Sequence, residues 1–198
     1  MLLSDDLFPQ ILPNGLTYVP NYVTPNQEQQ LLARIDEGPW DTTYARRRKH
    51  YGVKYHAAAQ NPALPMPARL TALAIRLCKD GFLPYPPQSA LVNEYLPGQG
   101  IADHTDRASA PGGRVVSVSL GSGAEMRFTE PGGKRHLIYL EPQSVIVFQG
   151  ATRDSWQHGI AGRLSDRHMG LDLPRQRRVS ITLRCSPDNP LAQNQQCP

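Results

Sequence analysis

Two stretches of the chain space their apolar residues for helices, and most of the remainder alternates with a period of two. In TPNQEQQLLARIDEG, residues 24–38, Leu31, Leu32 and Ile35 share one face. Thr24 can cap this helix, Pro25 suits its first turn, Gln27 completes a capping box and Gly38 stops it. A second helix is predicted over about residues 66–80, with Met66, Leu70, Leu73 and Leu77 on one stripe and Gly81 after it. From residue 88 the period changes. ALVNEYL, RVVSVSLG, EMRFTEPGG, HLIYL, SVIVFQG and RRVSITLRC read as short strands separated by Gly, Pro and polar turns. Helices followed by a meander of strands predict an α+β chain whose sheet part is a sandwich or jelly roll. Residues 1–17 read as an irregular lead-in, 18–186 as a single domain, and 187–198 as a tail expected to be disordered.

Composition narrows the picture modestly. At 198 residues the chain can hold one substantial core, and 39% hydrophobic with 19% charged residues places it among globular proteins. A net charge of +4 is compatible with an anionic partner without requiring one. Cys78, Cys185 and Cys197 form neither an even framework nor a C-x-x-C pair, so disulfides are not expected to shape the fold. The opening MLLSDDLFPQ lacks the basic and apolar regions of a signal peptide, and no apolar run reaches membrane-spanning length. These features predict a soluble, monomeric, cytoplasmic protein with no membrane partner.

Candidate chemistry begins at NEYLPGQGIADHTDR, residues 93–107. Residues two apart on an extended segment project to one side, so His104 and Asp106 can converge on a point. With His158 of WQHGI they would form a two-histidine, one-carboxylate set with open coordination positions, suited to Fe(II) oxygen chemistry. An H-x-D pair alone is weak evidence, and a lone histidine is more often structural than ligating. A zinc hydrolase could share the trio. The remaining histidines, His50, His56, His136 and His168, lack comparable context and read as surface residues.

The last predicted strand adds weight. Alternation in RVSITLR puts Arg178, Ser180, Thr182 and Arg184 on one face and Val179, Ile181 and Leu183 on the other. If the aliphatic face packs, two arginines point into a barrel interior, where an unpaired charge is very costly. A small dicarboxylate would satisfy both forks. An edge strand with both arginines in water fits this segment equally well. Asn93 and Tyr95 repeat the spacing on an earlier strand and could hydrogen-bond a bound polar ligand.

Taken in order, N-x-Y, P-G, H-x-D, H-G-I and R-x5-R, spread over residues 88–185, resemble the AlkB family of Fe(II)- and 2-oxoglutarate-dependent dioxygenases. The resemblance implies a double-stranded β-helix buttressed by N-terminal helices. It implies that His104, Asp106 and His158 hold Fe(II), that Arg178 pairs with the distal carboxylate of 2-oxoglutarate, and that Arg184 lies near its C1 carboxylate. Asn93 and Tyr95 would hydrogen-bond this cosubstrate. With O2, such enzymes convert it to succinate while hydroxylating an alkyl group on a base nitrogen, which then leaves as an aldehyde. A non-catalytic nucleic-acid-binding module would have no use for the ligands and arginines together.

ARRRKHYGVKY, residues 45–55, is similar to the family's nucleotide-recognition segment. The resemblance implies that Arg46, Arg47, Arg48 and Lys49 neutralise phosphates and that Tyr51 stacks near the base. Where repair members continue to a second aspartate, this chain has Ala108. Stacking between Tyr51 and His104 would then carry base recognition, favouring a broad repair enzyme for methyl and etheno bases in single strands. The same stretches also look like the AlkB homologues that hydroxylate a modified wobble uridine in animal tRNA. A tRNA nucleoside or a protein side chain is therefore the alternative substrate.

Overall fold

The computed structural model describes residues 12–52, 64–87, 89–106 and 113–184. The elements run in the order β1 (Leu16–Val19), α1 (Pro25–Asp36), β2 (Arg48–Gly52), α2 (Ala68–Lys79), β3 (Ser89–Tyr95), β4 (Ile101–His104), β5 (Val115–Gly121) and β6 (Ala124–Thr129). They continue as β7 (Arg135–Leu140), β8 (Val145–Phe148), α3 (Ala151–Asp154), β9 (Gln157–Ile160), β10 (Ser165–His168), β11 (Leu171–Pro174) and β12 (Arg178–Arg184). The strands form a six-stranded sheet, β1-β8-β5-β12-β3-β2, a four-stranded sheet, β4-β9-β6-β7, and a separate β10-β11 hairpin. The pairings between these strands are all antiparallel.

Alternation along the strands divides the interior into two cores. Val179, Ile181 and Leu183 of β12 join Val116 and Val118 of β5 and Val92 of β3 in a cluster that meets Leu31 and Ile35 of α1 and Leu70, Leu73 and Leu77 of α2. The opposite face of the same sheet meets the four-stranded sheet, where Phe128, Ile138, Leu140, Ile146, Phe148 and Ile160 pack together. The helices thus cover one side of the larger sheet, and the space between the sheets is left for the site. This is the jelly roll with buttressing helices that the sequence predicts.

Helix α1 begins as expected: the Thr24 side chain accepts from the Gln27 backbone, and Gln27 returns the contact to the Thr24 N–H. The expected irregular lead-in already contains the start of β1, which pairs Leu16 with Phe148. Strands β2, β4 and β9 were not foreseen, nor was the β10-β11 hairpin. In contrast to the expectation from cysteine counting, Cys78 at the end of α2 is disulfide-bonded. The expected tail at residues 187–198 lies outside the described residues.

Candidate active site

Four residues stand in one row across the smaller sheet. His104 of β4 pairs with His158 of β9, His158 with Phe128 of β6, and Phe128 with His136 of β7. Directly opposed residues on antiparallel strands share a face, so the row looks into the space between the sheets. Asp106 follows β4 by two residues and turns to the same point. The ligand atoms of His104, Asp106 and His158 lie within 4.8 Å of one another.

Local contacts prepare each of the three. The His104 Nδ1 donates to the Ala102 carbonyl at 2.9 Å, which leaves Nε2 with its lone pair free. Burial pushes His158 down to about 4, with His104 and Arg184 adding to the effect against the pull of Asp106, so its imidazole is neutral at pH 7. Arg184 Nη2 donates to Asp106 Oδ1 at 2.5 Å, holding the carboxylate turned inward. Two imidazoles and a carboxylate are the donor set that suits a divalent iron.

The pairing of β4 with β9 is interrupted by an irregularity between Ile101 and His104, so backbone hydrogen bonds alone do not fix the height of His104. A side-chain strap does. Asp103 Oδ2 accepts from Arg127 Nε at 3.1 Å and Nη2 at 2.7 Å, reaching from β4 to β6 across β9. The residue beneath the strap is Gly159, where an added Cβ would lie 2.2 Å from Asp103 Oδ1 and 2.9 Å from the Ile101 carbonyl. Only a residue without a side chain permits this close approach, which explains the glycine after the ligand His158.

A cavity runs inward from the trio, lined by the polar face of β12 and by Asn93 and Tyr95 of β3. Arg178 is its deepest charge, with 2% of its surface exposed. Its Nη2 donates to Ser119 Oγ at 2.9 Å, and its guanidinium carbon lies 5.2 Å from the Tyr95 ring centre. Its Nε and Nη1 are buried without a hydrogen-bond partner. Burial lowers its pKa, with Tyr95 opposing the shift. A buried guanidinium with two open N–H groups facing a cavity fits a carboxylate of an added ligand. The two readings of RVSITLR are thereby separated: β12 is central, between β5 and β3, and its arginines face inward.

The basic run is split by the pleat. Arg46 lines the cavity: its Nε donates to Asn93 Oδ1 at 3.1 Å, and its guanidinium lies 5.6 Å from the Tyr95 ring centre. With Oδ1 so engaged, the Asn93 amide is turned to offer its NH2 elsewhere. Arg47 pairs with Glu94 and stacks over Trp40, while Arg48 pairs with Asp41 at 2.8 Å and stacks over Tyr44. Lys49 is buried and donates to the carbonyls of Ile35, Glu37 and Gly38, capping the end of α1. Tyr51 is 3% exposed within the helix-side core. The expected phosphate contact from Lys49 and the stacking of Tyr51 on a base are therefore corrected: both side chains face the helices, away from the cavity, because their positions alternate with Arg48 and His50. Ala108 lies outside the described residues.

Fold and site together define a jelly-roll dioxygenase class, with an iron-type ligand trio beside a cavity for a carboxylate. Comparison with known proteins agrees. The family model of the 2OG-Fe(II) oxygenase superfamily matches residues 40–184, and the chain belongs to that family. An uncharacterized protein, L905, of Acanthamoeba polyphaga mimivirus is 34% identical over 86% of this chain and 84% of its own. The tRNA (carboxymethyluridine(34)-5-O)-methyltransferase alkbh8 of Xenopus tropicalis is 34% identical over 78% of this chain, but the match spans only 26% of that protein. Among solved structures, OsALKBH1 superposes with a TM-score of 0.71 at 19% identity, covering 89% of this chain and all of that one. The family uses Fe(II), 2-oxoglutarate and O2, and the chain is an AlkB-like 2-oxoglutarate-dependent dioxygenase.

Proposed function

We propose that this dioxygenase oxidises an alkyl group carried by a base of a nucleic acid, releasing the group as an aldehyde. The observation that carries the reading is the ligand trio placed at the mouth of the cavity, with Arg178 at its inner end. This order keeps a small dicarboxylate deep inside and leaves the outer side of the trio open to a larger substrate. Relatives named as a probable RNA/DNA demethylase in Danio rerio and a DNA N6-methyl adenine demethylase in Caenorhabditis elegans, 25% and 24% identical, support a nucleic-acid substrate.

In this reading His104, Asp106 and His158 hold Fe(II), and Arg178, Asn93 and Tyr95 hold 2-oxoglutarate. The bound pair supplies the oxidising power, spending O2 to form succinate and CO2 from the cosubstrate while the substrate gains one oxygen. Arg184 holds the Asp106 carboxylate in place, and its open Nε is available to the cosubstrate's C1 carboxylate. The apolar wall of Phe128, Phe148 and Met126 excludes water from the reacting end. The substrate base has to be single-stranded or flipped to reach the mouth. The reading extends to a monomer working in the cytoplasm, and no helix among the described residues is long and apolar enough to cross a membrane.

A second reading, oxidation of a modified tRNA nucleoside, is favoured by the animal relatives. Macaca fascicularis and Mus musculus proteins named as tRNA (carboxymethyluridine(34)-5-O)-methyltransferases match at 32% and 31% identity over about four-fifths of this chain and a quarter of their own length. One assay separates the two. Oligonucleotides carrying 1-methyladenine or ethenoadenine, single- and double-stranded, are incubated beside tRNA bearing a modified wobble uridine and analysed by mass. Loss of the alkyl group from the oligonucleotides supports the first reading. A single added oxygen confined to the tRNA replaces it with the second.

A further inference from the structure

We infer that the cleft beside the mouth, between the β6-β7 turn and the β8-α3 connection, binds the nucleic-acid strand flanking the target base. The inference rests on the nucleic-acid reading above and locates the strand within it. The expected carrier of phosphate contacts, the run at residues 46–49, has no cation to spare: Arg47 and Arg48 are paired with Glu94 and Asp41, Lys49 is consumed by carbonyls, and Arg46 is inside the cavity. The cleft has a cation free, Lys134. It measures about 670 Å³ and is lined by Trp156, His136, Lys134, Glu130 and the backbone around Gly150. Glu130 is engaged by His136 Nε2 at 2.6 Å, and Lys134, which shares the cleft face with His136, forms no ion pair among the described residues.

The cleft also has the geometry of a continuation of the site. His136 is the outer member of the row that contains His158 and His104, two strands from His158 and so roughly 10 Å away. Trp156 precedes His158 by two residues, and its carbonyl accepts from Thr105 Oγ1, between two of the trio, at 3.2 Å. The Trp156 indole stacks on His136 with centroids 5.2 Å apart and planes at 18°. A pre-stacked aromatic pair offers a platform for a base of any identity, and the adjoining Lys134 suits a phosphate beside it. A nucleotide adjacent to the one being oxidised would rest there, two strand spacings from His158.

The two tryptophans of the chain report the rival locations. Trp40 lies under Arg47 and Lys49, and Trp156 lies in the cleft. In a titration with single-stranded oligothymidylate, quenching of intrinsic fluorescence is expected to persist in Trp40→Phe and to vanish in Trp156→Phe. By anisotropy with a fluorescein-labelled oligothymidylate, Lys134→Ser is expected to flatten the plot of log affinity against log salt by roughly 0.7, the share of one phosphate contact. The same neutralisation of Arg69, on the far helical side, should leave the slope as it is. Quenching that follows Trp40, or a salt slope unmoved by Lys134→Ser, overturns the cleft while leaving the nucleic-acid reading in place. Failure of the wild-type protein to bind any single strand overturns both.

Discussion

Replacing Gly159 by alanine tests how tightly the ligand trio is built. The new Cβ would stand 2.2 Å from Asp103 Oδ1, 2.9 Å from the Ile101 carbonyl and 3.0 Å from the Asp103 amide. Ordinary contact begins at about 3.4 Å, so the backbone of β4 has to retreat from β9 by roughly 0.5 Å. The Asp103 side chain could swing away, but the backbone atoms of Ile101 and Asp103 cannot. Overpacking of this kind costs roughly 1–3 kcal/mol, and a domain of this size melts roughly 2–4 °C lower for each. The more telling effect is on metal binding. His104 rides on the strand that moves and His158 on the one that stays, and loss of the contacts that orient ligands typically weakens a metal roughly ten- to hundredfold. Anaerobic titration with Fe(II) or Co(II) measures this directly, with Gly132→Ala as the control, since nothing lies within 4 Å of a Cβ there. Unchanged metal affinity in Gly159→Ala would refute the reasoning that the strap and the glycine set the position of His104.

Other parts of the account predict separate outcomes. Arg178→Ala should weaken 2-oxoglutarate by roughly 1.5–3 kcal/mol in titration calorimetry, with Arg178→Lys recovering only part because it cannot offer a fork; an unchanged affinity would place the cosubstrate elsewhere. Lys49→Met should lower the melting temperature by stranding the carbonyls at the end of α1, yet leave the salt dependence of oligonucleotide binding untouched. Burial alone would raise the Glu94 carboxyl, but hydrogen bonds from Arg47 and Arg177 outweigh it and hold its pKa below the usual 4.5. The folded pKa being depressed, this stabilisation is present above 4.5 and lost as pH falls through the folded value, so acid unfolding should be steeper in the wild type than in Glu94→Gln.

The sequence was most legible where local chemistry decides structure. The capping box at Thr24 and the alternation of RVSITLR each depend on neighbours in the chain, and both are realised. The trio was legible because His104 and Asp106 are two residues apart and His158 precedes a glycine in a recognisable order. What stayed hidden depends on pairing. RRRKHYG looks like a surface charge run, and its residues separate to opposite faces only because β2 pairs with β3 at the edge of the sheet. Had the period of two been applied to it, Lys49 and Tyr51 would have fallen together, away from Arg46 and Arg48. Asp103 and Arg127 are 24 residues apart and meet only across β9, so no local signal announces the strap. His136 and His168, read as surface residues, stack on Trp156 and Tyr139 for the same reason.

The central claim is that one site couples consumption of 2-oxoglutarate to oxidation of an alkylated base. The direct measurement is the yield of succinate and of aldehyde from the same reaction, with Fe(II), O2, 2-oxoglutarate and a single-stranded oligonucleotide carrying 1-methyladenine. The account predicts equal amounts of the two products, and neither from Asp106→Ala. Aldehyde released without succinate, or full turnover by Asp106→Ala, would contradict it.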